Sequence, residues 1–137
     1  MKNLATLLFS LLTLAVCHAK EPTRPAAEAT VIVYRPSQFM MCARAWHISI
    51  NGKKAAKLWN RQTLVLTVPA GTVSLESALS GLTIAPRRRD RLNLNVQPGR
   101  TYYVQADVRT GVLRGYLGLA EVTEASARKH AKAVEIK

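Results

Sequence analysis

The densest run of charge in this 137-residue chain is Arg87-Arg88-Arg89-Asp90-Arg91. Neighbouring guanidinium groups can hold a phosphate or carboxylate through two parallel hydrogen bonds each, so the run reads as a contact for an anion. Its candidate contacts are Arg87, Arg88, Arg89 and Arg91; Arg35, Arg100, Arg109 and Arg114 would extend it if folding brought them to one face. The competing reading is a solvated loop. A second constellation pairs Cys42 with His47. A nucleophilic thiol needs a stabilised thiolate and a base oriented by a third group. No acid lies nearby in sequence, so Cys42 reads as a small apolar side chain. Met40, Met41 and Cys42 are soft donors of the kind copper(I) takes. Yet Cys42, His47 and His130 show no ligand spacing, and the methionines read as core filling. Asp90, Asp107 and Glu76 are scattered and read as local charge partners. The expectation is a protein that is not an enzyme, with no catalytic residue, cofactor or metal.

These residues must be positioned by strands. Thr30–Arg35 is apolar on both faces, as a central strand is. Pro36 ends it, and Ser37–Arg44 forms a loop whose Phe39, Met40 and Met41 should fold back onto the body. Ala45–Ile50 alternates, with Trp46, Ile48 and Ile50 on one side and His47 and Ser49 on the other. Asn51-Gly52 then marks a hairpin, since both residues tolerate the positive φ of a type I′ turn. Lys53–Leu58, with lysines at 53, 54 and 57, suits an edge strand that must not pair with another chain.

Further alternation places Leu64, Leu66 and Val68, then Val73, Leu75 and Leu79, on inward faces. Leu92, Leu94 and Val96 follow, then Tyr102, Val104, Ala106 and Val108, and a last strand spans Val112–Val122. Leu64, Leu66, Val68 and Gly71 each precede Leu92, Leu94, Val96 and Gly99 by 28 residues, which suggests two similar hairpins. Thr123 caps a short helix, with an acid at its start and bases towards its end. About seven strands, with turn signals roughly every ten residues, give a mainly β chain: an antiparallel β-sandwich with a short C-terminal helix.

The N-terminus bears on compartment. Lys2 precedes an uncharged, mostly apolar run, Leu4–Val16, shorter than the roughly 20 residues that cross a bilayer and suited to a secretory signal. The organisation read is a signal peptide at 1–19, a proline-containing linker at 20–29, the sandwich at 30–122 and the helix and tail at 123–137. Two processings are open. Cleavage after Ala19 removes Cys17; alternatively Leu14-Ala15-Val16-Cys17 looks like a lipobox and Cys17 carries a lipid, although Val16 stands where Gly, Ala or Ser is usual. In either case Cys42 has no intrachain disulfide partner.

Charge bounds the partners. The chain carries 20 Lys and Arg against 8 Asp and Glu, a formal +12 that falls to +11 once residues 1–19 are removed. Such a field favours anions and disfavours self-association. For an exported chain this means an anionic envelope component or an acidic protein; no nucleic-acid recognition motif is present.

The order VIVYRPSQF, WHISINGKKAAKL, VPAG, QPGRTYYVQAD and LGLAEVTEASA resembles the bacterial domain-of-unknown-function family 2846 over Thr30–Ala127. The resemblance implies an exported β-rich domain, often on a lipoprotein, with a sandwich similar to PEGA-type and immunoglobulin-like folds, and it brings no catalytic residues. The expected role is a binding or structural accessory of the cell envelope, periplasmic or associated with the outer membrane. A periplasmic inhibitor or immunity-type protein is the alternative.

Overall fold

The alternation resolves into two four-stranded sheets packed face to face. The structure, a computed structural model, describes residues 27–81, 90–110 and 115–131. The proposed signal with Cys17, the linker up to position 26, Arg87, Arg88, Arg89, Arg114 and the tail beyond 131 lie outside the described residues. The strands are β1 (Glu28–Tyr34), β2 (Trp46–Ile50), β3 (Lys53–Leu58), β4 (Thr63–Pro69), β5 (Gly71–Leu79), β6 (Asp90–Val96), β7 (Thr101–Thr110) and β8 (Gly115–Val122); a helix, α1 (Glu124–Ala131), follows. One sheet has the order β4-β1-β7-β8 and the other β3-β2-β5-β6. The sandwich architecture is as expected, with eight strands among the described residues rather than about seven.

The first strand explains its own composition. It lies between β4 and β7, and Val31, Ile32, Val33 and Tyr34 are all buried. It begins at Glu28, inside what reads as linker, because the Ala27 and Glu28 carbonyls accept the amides of Ala70 and Gly99 at 2.7 Å each. It pairs antiparallel with β4 but parallel with β7, in register Thr30 to Thr101. That pair departs from an all-antiparallel sandwich.

The two hairpins inferred from the 28-residue spacing are not hairpins. Strands β4 and β5 lie in different sheets, as do β6 and β7, so Pro69-Ala70-Gly71 and Gln97–Arg100 are crossovers between layers. Alternation within each strand is the same for either arrangement, which is why the pattern misleads. Gly71 at φ +117° and Gly99 at φ +71° turn the chain differently, and the inward face resumes two residues after the first, at Val73, but three after the second, at Tyr102. Asn51-Gly52 is a true hairpin, with φ +49° and +78°, and β3 is an edge strand as its lysines suggest.

Trp46, Ile48, Leu58, Leu75, Leu94 and Leu117 are fully buried between the sheets, each contributing about 1.5–3 kcal/mol through burial. Two side chains tie the layers together at the β8 edge. Ser77 Oγ donates to the Leu117 carbonyl at 2.6 Å, and Asp90 Oδ2 accepts the Leu119 amide at 2.7 Å. Asp90 therefore satisfies the backbone of an edge strand. Ser126 N donates to Thr123 Oγ1, the expected helix cap, and Ala127 is buried where α1 docks on the sheet.

Candidate functional site

The outward residues of the second sheet form a polar row. The register sets Lys54 against Ser49, Ser49 against Glu76, and Glu76 against Arg91, one residue from each of its four strands. The adjoining row carries Lys57, His47 and Ala78. A register shift between Ile48 and Ser49 lets both Lys54 and Lys57 take outward positions on β3. A hollow of about 240 Å³ opens here, lined by His47, Ser49, Lys54, Glu76 and Arg91 among others. Arg91 Nη2 donates to Glu76 Oε1 at 2.6 Å; the Arg91 side chain is largely exposed while that of Glu76 is only 12% exposed. The carboxylate thus holds the guanidinium across the sheet and lowers the positive charge it offers. Two ammonium groups, one guanidinium, an imidazole and a hydroxyl can together coordinate a phosphate or carboxylate.

The sequence-derived cluster is only partly a unit. Arg91 stands in the row; Arg87, Arg88 and Arg89 lie outside the described residues. Arg35 is fully buried, its Nη1 donating to the Arg44 carbonyl at 2.9 Å and its Nη2 to the Met41 carbonyl at 3.0 Å. Burial lowers its pKa, with an opposing influence from Cys42. Arg100 lies in the crossover at the other end of the sandwich. Arg109 projects from the outer face of the first sheet, its side chain lying over Gly118. The basic residues therefore do not share one face: strand alternation fixes the side of its own sheet, and only tertiary pairing says which sheet.

Glu76 is a local charge partner as its type suggests, paired with Arg91 across the sheet. Cys42 is exposed and free, and no group of three or more metal-ligating side chains occurs among the described residues. Of the expected core methionines, Met41 packs against the core while Met40 is 49% exposed and Phe39 is 99% exposed. His47 Nε2 lies 3.2 Å from Ser80 Oγ, a contact between residues 33 apart that sequence proximity could not show. Ser80 continues β5 by donating its amide to the Ala45 carbonyl, and so orients the imidazole beside the row. A larger, open groove of about 500 Å³ runs between Arg100–Tyr103 and Glu121–Glu124. Its charges are mixed, and it holds the capped start of α1.

The chain has no significant match to any family model, curated protein or solved structure.

Proposed function

We propose that this chain is an exported, non-catalytic β-sandwich that serves as a binding or structural accessory module of the cell envelope and contacts an anionic partner through its basic surface. The observation that carries this is the row Lys54–Ser49–Glu76–Arg91 with Lys57 and His47 beside it, three exposed cations to one largely covered carboxylate. Arg87, Arg88 and Arg89 directly precede β6 in the chain and add to its basic charge. The N-terminal apolar run supports export, and the resemblance to domain-of-unknown-function family 2846 supports an envelope role.

Replacing Arg87, Arg88, Arg89 and Arg91 together with Ser tests the reading. Retention on isolated envelope fractions should fall, and retention of the parent should weaken as salt screens the contact. Unchanged retention of the quadruple variant, or binding indifferent to salt, rejects it.

A further inference from the structure

One end of the sandwich carries an apolar tip that the basic row does not involve. Two loops build it, residues 35–45 between β1 and β2 and residues 59–62 between β3 and β4. Phe39 stands 99% exposed, with Met40 at 49% and Trp59 at 50%. Large apolar side chains in that state call for an explanation when they cluster. The loops are joined and stiff: the Gln38 amide donates to Asn60 Oδ1 at 3.1 Å, Asn60 Nδ2 donates to the Gln38 carbonyl at 3.0 Å, and the Arg35 amide donates to the Gln62 carbonyl at 2.9 Å. Met41 and Arg61 hold left-handed backbones, at φ +54° and +61°. Such strain persists only where surrounding contacts enforce it. Here they include the buried Arg35 guanidinium and the Met41 side chain packed against the core. Phe39 is thus held out by its framework.

The exposed charge around the tip is one-sided, the half-buried Asp107 carboxylate there being held by Gln38 and Gln105. Arg44 and Arg61, within the same two loops, are exposed. Among the described residues every exposed carboxylate (Glu28, Glu121 and Glu124) lies at the opposite end. We propose that this end docks on an anionic lipid bilayer, with Phe39, Met40 and Trp59 entering the interfacial layer and Arg44 and Arg61 meeting lipid phosphates. Aromatic side chains favour that layer, and basic residues beside them add attraction to anionic headgroups. A protein partner is the weaker fit, because a stable interface covers about 800 Å² on each side, whereas this tip is three projecting side chains. No helix among the described residues is long and apolar enough to cross a membrane. The proposal shares the envelope setting of the preceding section but rests on different residues.

The test uses the full chain with vesicles of phosphatidylcholine containing phosphatidylglycerol, and of phosphatidylcholine alone. Trp59 emission should shift to the blue and be quenched by brominated lipid in the anionic vesicles; Trp59→Phe should abolish the quenching, since Trp46 is sealed in the core. Phe39→Ser with Met40→Ser should lower partition about tenfold or more, the loss expected when one or two apolar side chains no longer leave water. Arg44→Ser with Arg61→Ser should weaken binding more than Lys54→Ser with Arg91→Ser, a pair matched for charge on the basic row. Both tip residues are exposed, so an unchanged thermal transition will show that the variants fold. Unquenched Trp59, an unchanged partition of the Phe39 and Met40 variant, or equal effects of the two charge pairs overturns the proposal. So does loss of a protein partner by that variant when vesicle binding is absent. If the arginine-to-serine variant of the basic loop loses envelope retention while tip variants leave vesicles unaffected, the tip fails and the envelope reading stands.

Discussion

Gln38 and Asn60 are joined by two reciprocal hydrogen bonds, each residue's backbone meeting the other's side chain. The Gln38 side chain reaches the other way: its Oε1 accepts the Val108 amide at 2.8 Å and its Nε2 donates to Asp107. Paired register between β1 and β7 ends at Gln105, so one glutamine covers the bare edge of β7 and fastens the neighbouring loop. Asn60→Ala removes both reciprocal bonds and leaves partly buried groups without them. A loss of about 1–3 kcal/mol follows, read by denaturant unfolding, together with faster proteolysis between residues 36 and 44. Wild-type proteolysis in that loop would show that the junction does not hold it.

Tyr34 should make stability fall in alkali. Its hydroxyl donates to Gln105 Oε1 at 2.7 Å, and burial first, then the Asp107 charge, raise its pKa above the usual 10.0. A raised folded value favours the protonated form. The contribution is therefore fully present below the unfolded value and is lost as pH rises through the folded one. At neutral pH, Tyr34→Phe should cost about 1 kcal/mol for the lost hydrogen bond. The gap between parent and variant should narrow above pH 10.0. A gap constant across the alkaline range would remove Tyr34 as its source.

How far the sequence reached depended on the range of the contact. Strand alternation found the core faces of β2, β4, β5, β6 and β7, because side-chain direction in a strand is local. It could not assign strands to sheets, and so it took two crossovers for hairpins. Arg35 reads as surface by type, and only the Met41 and Arg44 carbonyls converging on it explain its burial. The row that joins Ser49 to Glu76 and Arg91 rests on pairing across 27 and 15 residues, which periodicity does not carry. Apolar type argues for burial of Phe39, whereas its loop holds it out at 99% exposure.

Glu76 should restrain anion binding at the row. Its carboxylate occupies the Arg91 guanidinium at 2.6 Å. Glu76→Gln removes that negative charge from between Lys54 and Arg91 while keeping the side chain's shape. Because Arg91 is largely exposed, the ion pair itself contributes less than about 1 kcal/mol to stability, and the fold should tolerate the change. Retention on a phosphate-bearing resin should rise, with elution at higher salt, and Arg91→Ser should cancel the rise. Weaker retention of Glu76→Gln would mean that Glu76 organises the row rather than opposing its charge.

Two glycines of β8 should respond differently to an added methyl. A Cβ at Gly115 would meet Met41 Sδ at 2.7 Å, and one at Gly118 would meet Arg109 Nε at 2.7 Å. Neither needs a positive φ, so the neighbour alone decides the outcome. Arg109 is exposed and its guanidinium can swing into solvent; Gly118→Ala should change stability by less than about 0.5 kcal/mol. Met41 is packed against the core from a residue already held in a left-handed backbone, and it has less room to retreat. Overpacking of that kind costs about 1–3 kcal/mol, so Gly115→Ala should lower the unfolding midpoint. It should also disturb the loop that carries Phe39, seen as altered Trp59 emission across the Gln38–Asn60 junction. Equal stabilities of the two variants would show that Met41 yields as easily as Arg109 and does not anchor the loop.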